Sequence, residues 1–151
     1  NVIEFGERVR IGKNCSFWIE GNHCKIIVGD NTTFTQKVHF NVQEDNSEIV
    51  CGKDCMFSNM IIVRTSDSHA ILDMKTQKRI NPAKNVNIGD HVWIAPNSTI
   101  MKGVTIGSNT IIGSHTLVTK SIPDSVLAVG MPAKVIKENI TWSREDIIFN
   151  K

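Results

Sequence analysis

Residues 87–118 read NIGDHVWIAPNSTIMKGVTIGSNTIIGSHTLV, and this stretch decides the fold. An isoleucine or valine returns at every sixth position, at Ile88, Ile94, Ile100, Ile106, Ile112 and Val118. A period of six is neither the 3.6-residue period of a helix nor the bare alternation of a single strand. Repetition at a short fixed step is typical of solenoids, so the stretch predicts stacked coils with short straight sides.

The same step of six extends toward the N-terminus. Apolar residues follow it at Phe5, Ile11 and Phe17, at Val28, Phe34 and Phe40, and at Cys51, Phe57 and Val63. Four residues after most of these positions stands a small or β-branched residue, such as Cys15, Thr32, Cys55, Ser98 and Thr110. The strands of a β-sandwich vary in length, which does not explain so regular a register. We therefore predict an all-β solenoid of about five to six coils.

Glycines mark a second and longer period. Gly12, Gly29, Gly52, Gly89 and Gly107 follow apolar repeat positions, with separations of 17, 23, 37 and 18 residues. A coil of about 18 residues, with three sides and a tight turn at each corner, fits the shorter separations. Glycine, asparagine and aspartate tolerate the backbone angles of a sharp corner, and β-branched residues suit the sides.

The longer separations contain insertions, which must leave a regular solenoid as loops. About five extra residues lie near 43–47, and about nineteen lie between Thr65 and Lys84. Loops of this kind are common places for function. We predict a solenoid domain over residues 1–137 with a protruding loop over 65–84. Residues 138–151, with an N-cap candidate before acidic residues, predict a short C-terminal helix that covers the open end of the solenoid.

Composition narrows the class of protein. The 151 residues carry a net charge of +2, too small to favour nucleic acid or a membrane surface as partner. No apolar run exceeds four residues, whereas a membrane span needs about 20. No signal peptide is visible, so we expect a cytoplasmic protein. The four cysteines fall on or near repeat positions and are expected to be reduced core residues. A zinc site on Cys51 and Cys55 lacks a second ligand pair, so we expect no metal.

Four segments carry a resemblance to a known family: 66–69 (SDSH), 79–83 (RINPA), 88–94 (IGDHVWI) and 129–136 (VGMPAKVI). Through them the chain resembles the hexapeptide-repeat acyltransferases. It is most similar to bacterial O-acetyltransferases that act on sugars and on capsular or O-antigen polysaccharide. The resemblance covers nearly the whole chain. It implies a left-handed parallel β-helix, a homotrimer with active sites between subunits, acetyl-CoA as co-substrate and a carbohydrate acceptor.

The resemblance also implies a catalytic histidine. Acyl transfer to a hydroxyl needs a base that works near neutral pH, and imidazole suits that task. In this family a loop histidine is the base, and it corresponds to His69. Trp93, 24 residues later, corresponds to a tryptophan near the thioester. Asp67 and Asp73 are candidates to orient the imidazole, although either is equally well explained as a solvated loop residue.

Pro96 departs from the family pattern. In galactoside-type relatives a backbone N–H three residues after the tryptophan stabilises the oxyanion, and proline has no N–H. The Ala95 N–H, another backbone group or a side chain must substitute for it.

The remaining site residues also come from the resemblance. Along the coenzyme arm it places Ala95, Gly113, Ser114 and Thr119. Candidates for its phosphates and adenine are Lys120, Lys134, Lys137, Pro132 and Ala133. His39 and Asn41 correspond to acceptor-binding residues of sugar acetyltransferases, across a one-residue gap. His91 and His115 fall on corners and are expected to be structural or surface residues.

Three alternative functions are compared with this hypothesis. The nearest is an N-acetyltransferase that acts on a nucleotide-linked amino sugar. A γ-type carbonic anhydrase shares the fold but needs three zinc-binding histidines, two of them in a His-x-x-x-x-His pair, which the chain lacks. A non-catalytic scaffold is disfavoured because the His69 loop and the Gly-x-Pro-Ala-Lys segment are both present.

Overall fold

The six-residue step is one side of a triangular coil in the computed structural model, which describes residues 1–147. The strands are β1 (Val2–Phe5), β2 (Arg10–Lys13), β3 (Ser16–Glu20), β4 (Lys25–Val28), β5 (Thr33–Gln43), β6 (Glu48–Cys51), β7 (Met56–Arg64), β8 (Val86–Ile88), β9 (Trp93–Ile94), β10 (Thr99–Ile100), β11 (Thr105–Ile106), β12 (Ile111–Ile112), β13 (Leu117–Val118), β14 (Val126–Val129) and β15 (Lys134–Glu138).

Strands β1 to β14 stack in parallel on three faces of a prism. The first face runs β1-β4-β6-β8-β11 and continues through a bridge between Ile106 and Ile122. The second face contains β2, the first halves of β5 and β7, then β9, β12 and β14. The third face contains β3, the second halves of β5 and β7, β10 and β13. Residues 1–147 thus form five coils and part of a sixth, which confirms the predicted parallel β-helix.

From the second coil onward the repeat positions point into the prism and form its core, whereas Phe5 and Ile11 of the first coil are exposed. Phe34 and Phe57 stack with ring centroids 4.8 Å apart, and Phe40 meets Phe57 edge-on at 5.3 Å. Further along, the isoleucines at the six-residue step, from Ile88 to Ile112, are buried in successive coils. The four cysteines are free, and three of them are fully buried. Burial raises the pKa of the Cys51 thiol, which therefore remains a neutral packing group.

The corner glycines are explained by close packing between coils rather than by unusual backbone angles. A Cβ on Gly52 would lie 2.7 Å from the carbonyl carbon of Gly89, and one on Gly29 would lie 2.6 Å from that of Gly52. Residues with positive φ instead occupy the turns. At the first corner, between the first and second faces, they are Arg8, Asn31, Asp54, His91, Asn109 and Ser125. His115 has positive φ at the second corner, between the second and third faces.

The C-terminal segment differs from its prediction. β15 pairs antiparallel with β14 and continues the second face. Residues 139–146 form no helix, Ile147 has 3₁₀-helical geometry, and residues 148–151 of the predicted helix lie outside the described residues. Instead of covering the end of the solenoid, the segment runs back along the first corner, because Trp142 and Arg144 find hydrogen-bond partners there. Across residues 1–147, no helix has the length and apolar character needed to cross a membrane.

Candidate functional site

The long insertion leaves the prism at the third corner, where the third face turns into the first. After β7 the chain forms a small hairpin, in which Ile80 N–H donates to the Ile71 carbonyl over 2.9 Å. Leu72 and Arg79 form an antiparallel bridge. Asp73 accepts hydrogen bonds from two backbone N–H groups of the hairpin turn, which lower its pKa. Asp73 therefore stabilises this turn, and no hydrogen bond joins it to His69 within residues 1–147.

Asn81 is the centre of the loop. Its Nδ2 donates to the His69 carbonyl over 2.9 Å and to the Asp67 carboxylate over 2.8 Å. Its Oδ1 accepts from the Ile71 N–H over 2.7 Å and from Arg79 Nε over 3.2 Å. The side chain is buried, and both of its donors and both acceptor sites are used. Asn81 thus fixes the backbone on which His69 stands.

An ion pair ties the loop to the second coil. Arg79 donates two hydrogen bonds to the Glu44 carboxylate, at 2.8 Å and 2.5 Å. Ser66 Oγ donates to the same carboxylate over 2.7 Å, and Ala83 N–H over 3.3 Å. Chiefly through the bond from Arg79, these donors lower the pKa of Glu44 to about 2. Glu44 comes from the shorter insertion, so the two insertions brace each other.

Asp67 contacts a lysine rather than the imidazole of His69. Lys102 Nζ donates to its carboxylate over 2.5 Å and also reaches the Asn81 carbonyl at 3.0 Å. The bonds from Lys102 and Asn81 lower the pKa of Asp67. The predicted role of orienting the His69 ring directly has no supporting contact within residues 1–147. Asp67 instead links the start of the loop to Lys102 of the prism and to Asn81 near the end of the loop.

The His69 side chain is exposed, and no hydrogen bond to its ring is found within residues 1–147. A shallow cavity of about 270 Å³ lies beside the same loop, lined by Glu20, Gln43, Glu44, Ser66, Ser68, Ala70 and Arg79. A fixed backbone with an unengaged imidazole leaves the ring available to a substrate group.

The predicted acceptor residues lie on the neighbouring third face. His39 Nδ1 is 2.5 Å from Ser16 Oγ, and Asn41 pairs with Trp18 on one side and Arg64 on the other. A cavity of about 260 Å³ opens among these side chains. Arg64 continues to the loop, where its Nε donates to the Ser66 carbonyl over 2.6 Å. The structure therefore brings His39, Asn41 and the His69 loop to one side of the molecule.

Trp93 and Ala95 lie on the second face, away from this side. The Ala95 N–H donates to the Ile112 carbonyl over 2.8 Å within the ladder between coils, so it is not free to stabilise an oxyanion. The indole Nε1 of Trp93 is buried and has no hydrogen-bond partner within residues 1–147. It is an unpaired donor three residues before Pro96, which has no backbone N–H.

The other coenzyme candidates divide between two faces. Gly113 and Ser114 follow β12 at the far edge of the second face, and Lys134 and Lys137 lie on β15 of the same sheet. Thr119 and Lys120 follow β13 on the third face. Ser114, Thr119, Lys120, Pro132, Lys134 and Lys137 are exposed, whereas Ala133 is half-buried and packs against the core.

Several residues that support the loop or contact Trp93 were not predicted from the sequence. Glu44 and Lys102 hold the loop, and Trp142 packs against Trp93 with ring centroids 6.1 Å apart. Asn81 lies in the RINPA segment that carried the resemblance, which was the one available signal for it. Within residues 1–147, no group of three His, Cys, Asp or Glu residues is arranged to hold a metal ion.

Comparison with known proteins agrees with this geometry. The family model "Bacterial transferase hexapeptide (six repeats)" matches residues 85–120. A polysialic acid O-acetyltransferase of Escherichia coli O1:K1 / APEC is 46% identical over 143 residues, which is 91% of this chain and 45% of that protein. The chain therefore spans less than half the length of this relative.

Two solved structures match most of the chain. The polysialic acid O-acetyltransferase OatWY superposes with a TM-score of 0.82 and 33% identity, covering 98% of this chain and 77% of that one. A galactoside acetyltransferase in complex with coenzyme A superposes with a TM-score of 0.61 and 25% identity, covering 86% of this chain and 64% of that one.

Proposed function

The chain belongs to the bacterial hexapeptide-repeat transferases, and from this we propose that it transfers an acetyl group from acetyl-CoA to a hydroxyl of an acidic surface polysaccharide. Its fold is the left-handed parallel β-helix of that family. The named activity of the relatives supports the reaction, and polysialic acid is the acceptor that their names give.

The observation that carries this proposal is the braced loop. Asn81 holds the carbonyl of His69 at 2.9 Å, while the His69 ring is exposed and unengaged within residues 1–147. A loop whose only role was structural would not need its polar network arranged around a free imidazole. This arrangement suits a general base, which must hold its position and still have a nitrogen free to accept a proton.

In the proposed reaction the acceptor hydroxyl attacks the thioester directly. His69 takes the hydroxyl proton as the oxygen forms its bond to the acetyl carbonyl carbon, which gives a tetrahedral oxyanion. The intermediate then collapses, the carbon–sulfur bond breaks, and the proton passes from His69 to the departing coenzyme A sulfur. The ester, the free thiol and a neutral His69 are the products. No acyl-enzyme is needed.

The developing oxyanion requires a hydrogen-bond donor. Pro96 has none, and the Ala95 N–H is committed to Ile112. The indole N–H of Trp93 is the unpaired donor on this segment, and leaving a buried donor unpaired costs about 1–3 kcal/mol. We assign it to the oxyanion, since a functional acceptor accounts for a cost that packing alone would avoid.

His69 and Trp93 cannot meet within one chain. The His69 loop leaves the prism at the third corner, and the second face, which carries Trp93, lies opposite that corner of the triangle. An active site that uses both residues needs His69 from one subunit and Trp93 from its neighbour. This supports the homotrimer implied by the family, with a groove between the third face of one subunit and the second face of the next.

Acetyl-CoA then lies in this groove. Its arm follows Ala95, Gly113, Ser114 and Thr119, and Pro132 and Ala133 lie near its adenine. The exposed ammonium groups of Lys120, Lys134 and Lys137 are available to its phosphates. The acceptor enters beside His39 and Asn41, on the same face as the His69 loop.

The direct test measures thiol release from acetyl-CoA with polysialic acid as acceptor. Removal of a general base lowers the rate by about 10²–10⁴, so we expect His69→Ala to lose that much. His23→Ala changes an exposed histidine outside the loop and should retain the wild-type rate. If His69→Ala keeps full activity, the mechanism is wrong. Activity confined to amine acceptors would identify an N-acetyltransferase, and no release with any acceptor would favour a scaffold.

A further inference from the structure

The cavity beside Asn41 on the third face, here called the acceptor cavity, also contains a tryptophan and an arginine to which the proposed mechanism gives no role. Its volume is about 260 Å³. Strand register places Trp18 on one side of Asn41 and Arg64 on the other, in three successive coils. Because neighbouring strands lie about 4.8 Å apart, the main chains of Trp18 and Arg64 are about 10 Å apart along the solenoid. Trp18 and Arg64 therefore flank the space proposed for the acceptor.

Trp18 is an exposed aromatic side chain in the wall of the acceptor cavity. Solvent reaches 52% of its surface, whereas Trp142 is buried. The main chain of Trp18 is fixed, because β3 pairs with β5 on both sides of this residue. An open indole face is a broad apolar surface, and the C–H groups on one face of a sugar ring pack well against such a surface. Trp18 thus offers a fixed platform for one sugar ring.

The Arg64 guanidinium lines the same cavity, and only part of it is used. Nε donates to the Ser66 carbonyl over 2.6 Å, and Nη2 donates to Ser68 Oγ over 3.0 Å. No hydrogen bond from Nη1 is found within residues 1–147. A guanidinium has five N–H donors, and two are used here, so three remain for a ligand.

No carboxylate in the described part of the chain forms an ion pair with Arg64. Lys102 chiefly, and Arg64 to a smaller extent, lower the pKa of Asp67, and the ion pair of Asp67 is with Lys102. The Glu20 carboxylate lines the adjoining loop cavity, where it accepts from Gln43 Nε2 over 2.9 Å. An arginine with unused donors and no ion-pair partner favours an anionic ligand, and its planar fork matches a carboxylate.

Arg64 also connects the acceptor cavity to the His69 loop. Its two hydrogen bonds go to Ser66 and Ser68, and Ser68 directly precedes His69 in the chain. Ser68 Oγ in turn donates to Gln43 Oε1 over 2.7 Å, so this part of the loop is held from two strands. A carboxylate bound to Arg64 is therefore held beside the main chain that carries the proposed base.

We propose that Trp18 and Arg64 form a subsite for one carboxylate-bearing sugar residue of the acceptor. The sugar ring packs on Trp18, and its carboxylate accepts hydrogen bonds from Arg64. This inference rests on the proposed function and deepens it. Arg64 becomes the residue that distinguishes an acidic acceptor from a neutral one, whereas Trp18 binds the ring of either.

The first experiment measures binding to the full chain by calorimetry, without acetyl-CoA. The ligands are a sialic acid oligomer and the same oligomer with its carboxylates converted to primary amides. Arg64→Gln should weaken binding of the acidic oligomer about ten- to a hundredfold, because a hydrogen bond to a charged group is lost, and should change the amide far less. Any loosening of the loop affects both ligands and cancels in the ratio of their Kd values.

Lys25→Gln is the matched control, because it removes an exposed cation from the first face. It should leave the ratio of the two Kd values as in the wild type. Equal affinity of the wild type for the two oligomers, or an equal loss of both in Arg64→Gln, would overturn the carboxylate role of Arg64.

The second experiment tests the platform with the same two oligomers. Trp18→Ala should weaken both to a similar extent, roughly tenfold, because ring packing does not depend on the carboxylate. Trp18→Phe keeps an aromatic face and should recover most of this loss. Sedimentation should show the wild-type oligomeric state in both variants. A loss confined to the acidic oligomer, or dissociation of Trp18→Ala into smaller species, would overturn the platform, and dissociation would make Trp18 a subunit contact.

The subsite and the acyl transfer can fail separately. If the acidic oligomer binds with the expected preference but no thiol is released from acetyl-CoA, the proposed function fails and the subsite stands. If thiol is released with equal kcat/KM for the two oligomers, the transfer stands and the subsite is wrong.

Discussion

Asn81 donates its side-chain amide hydrogen to the carbonyl oxygen of His69 over 2.9 Å, from a buried position that also binds Asp67. The hydrogen bond fixes the main chain of His69 and leaves its ring free. A change at Asn81 can therefore alter the position of the His69 imidazole without altering the imidazole itself.

Asn81→Ala should therefore lower kcat by misplacing His69. A displacement of about 1 Å costs up to about a hundredfold in rate, so we expect a loss of about ten- to a hundredfold. The KM for acetyl-CoA should change much less than kcat, because most of the proposed coenzyme residues lie on the second face, opposite the loop. Steady-state kinetics with varied acetyl-CoA provide the measurement. Lys78→Ala, an exposed change in the same hairpin, is the control and should retain wild-type kcat. Equal losses in both variants would contradict this role.

Asp67→Asn distinguishes a loop anchor from an orienting carboxylate. The Asp67 carboxylate binds Lys102 at 2.5 Å, and no contact with the His69 ring is found in the described part of the chain. We expect a lower rate from a looser loop, with the acidic limb of the pH–rate profile at its wild-type position. In a triad the carboxylate stabilises the imidazolium, so loss of a direct partner would move that limb to lower pH. Such a displacement would contradict the anchoring role.

The fold was predictable because its cause is local and repeated. Inserting or deleting one residue in the six-residue pattern would turn the following apolar side chains out of the prism, so the burial of Ile88, Ile94, Ile100, Ile106, Ile112 and Val118 can be recognised directly in the sequence. The position of the His69 loop was predictable from the spacing of the corner glycines, because an insertion must leave the prism.

The contacts that hold the loop and the C-terminal segment could not be predicted, because they join residues far apart in the chain. Glu44 meets Arg79 across 35 positions, and Trp142 meets His91 across 51. Neither partner has a local pattern that reveals the other. The acidic residues after Thr141 resembled a helix start, yet Arg144 finds Asp54 and main-chain carbonyls along the first corner. These tertiary contacts outweigh a weak local preference for helix.

Lowering the pH should destabilise the loop, because it protonates the Glu44 carboxylate. Its pKa falls from an ordinary 4.5 to about 2 in the folded chain, chiefly because Arg79 donates to it. A carboxyl whose pKa is lowered by folding stabilises the fold above its ordinary value, and that contribution is lost as the pH falls toward the folded value. The wild type should therefore lose its stability advantage over Glu44→Gln between about pH 4.5 and 2.

Thermal unfolding midpoints of the two chains at several pH values measure this effect. Glu4→Gln, an exposed change on β1, should follow the wild type at every pH. A gap between wild type and Glu44→Gln that stays constant down to pH 2 would show that the carboxylate does not carry the effect.

Complementation between two inactive chains tests whether the site lies between subunits. His69→Ala and Trp93→Ala should each be inactive as pure trimers. In a mixed trimer, one of the three sites pairs an intact His69 from one subunit with an intact Trp93 from the next. Random mixing of equal amounts should therefore restore about a quarter of the wild-type activity. The measurement is thiol release after the two chains are unfolded together and refolded, compared with each chain refolded alone. A site contained in one chain could not be rebuilt this way, so absence of recovery in verified mixed trimers would contradict a site shared between subunits.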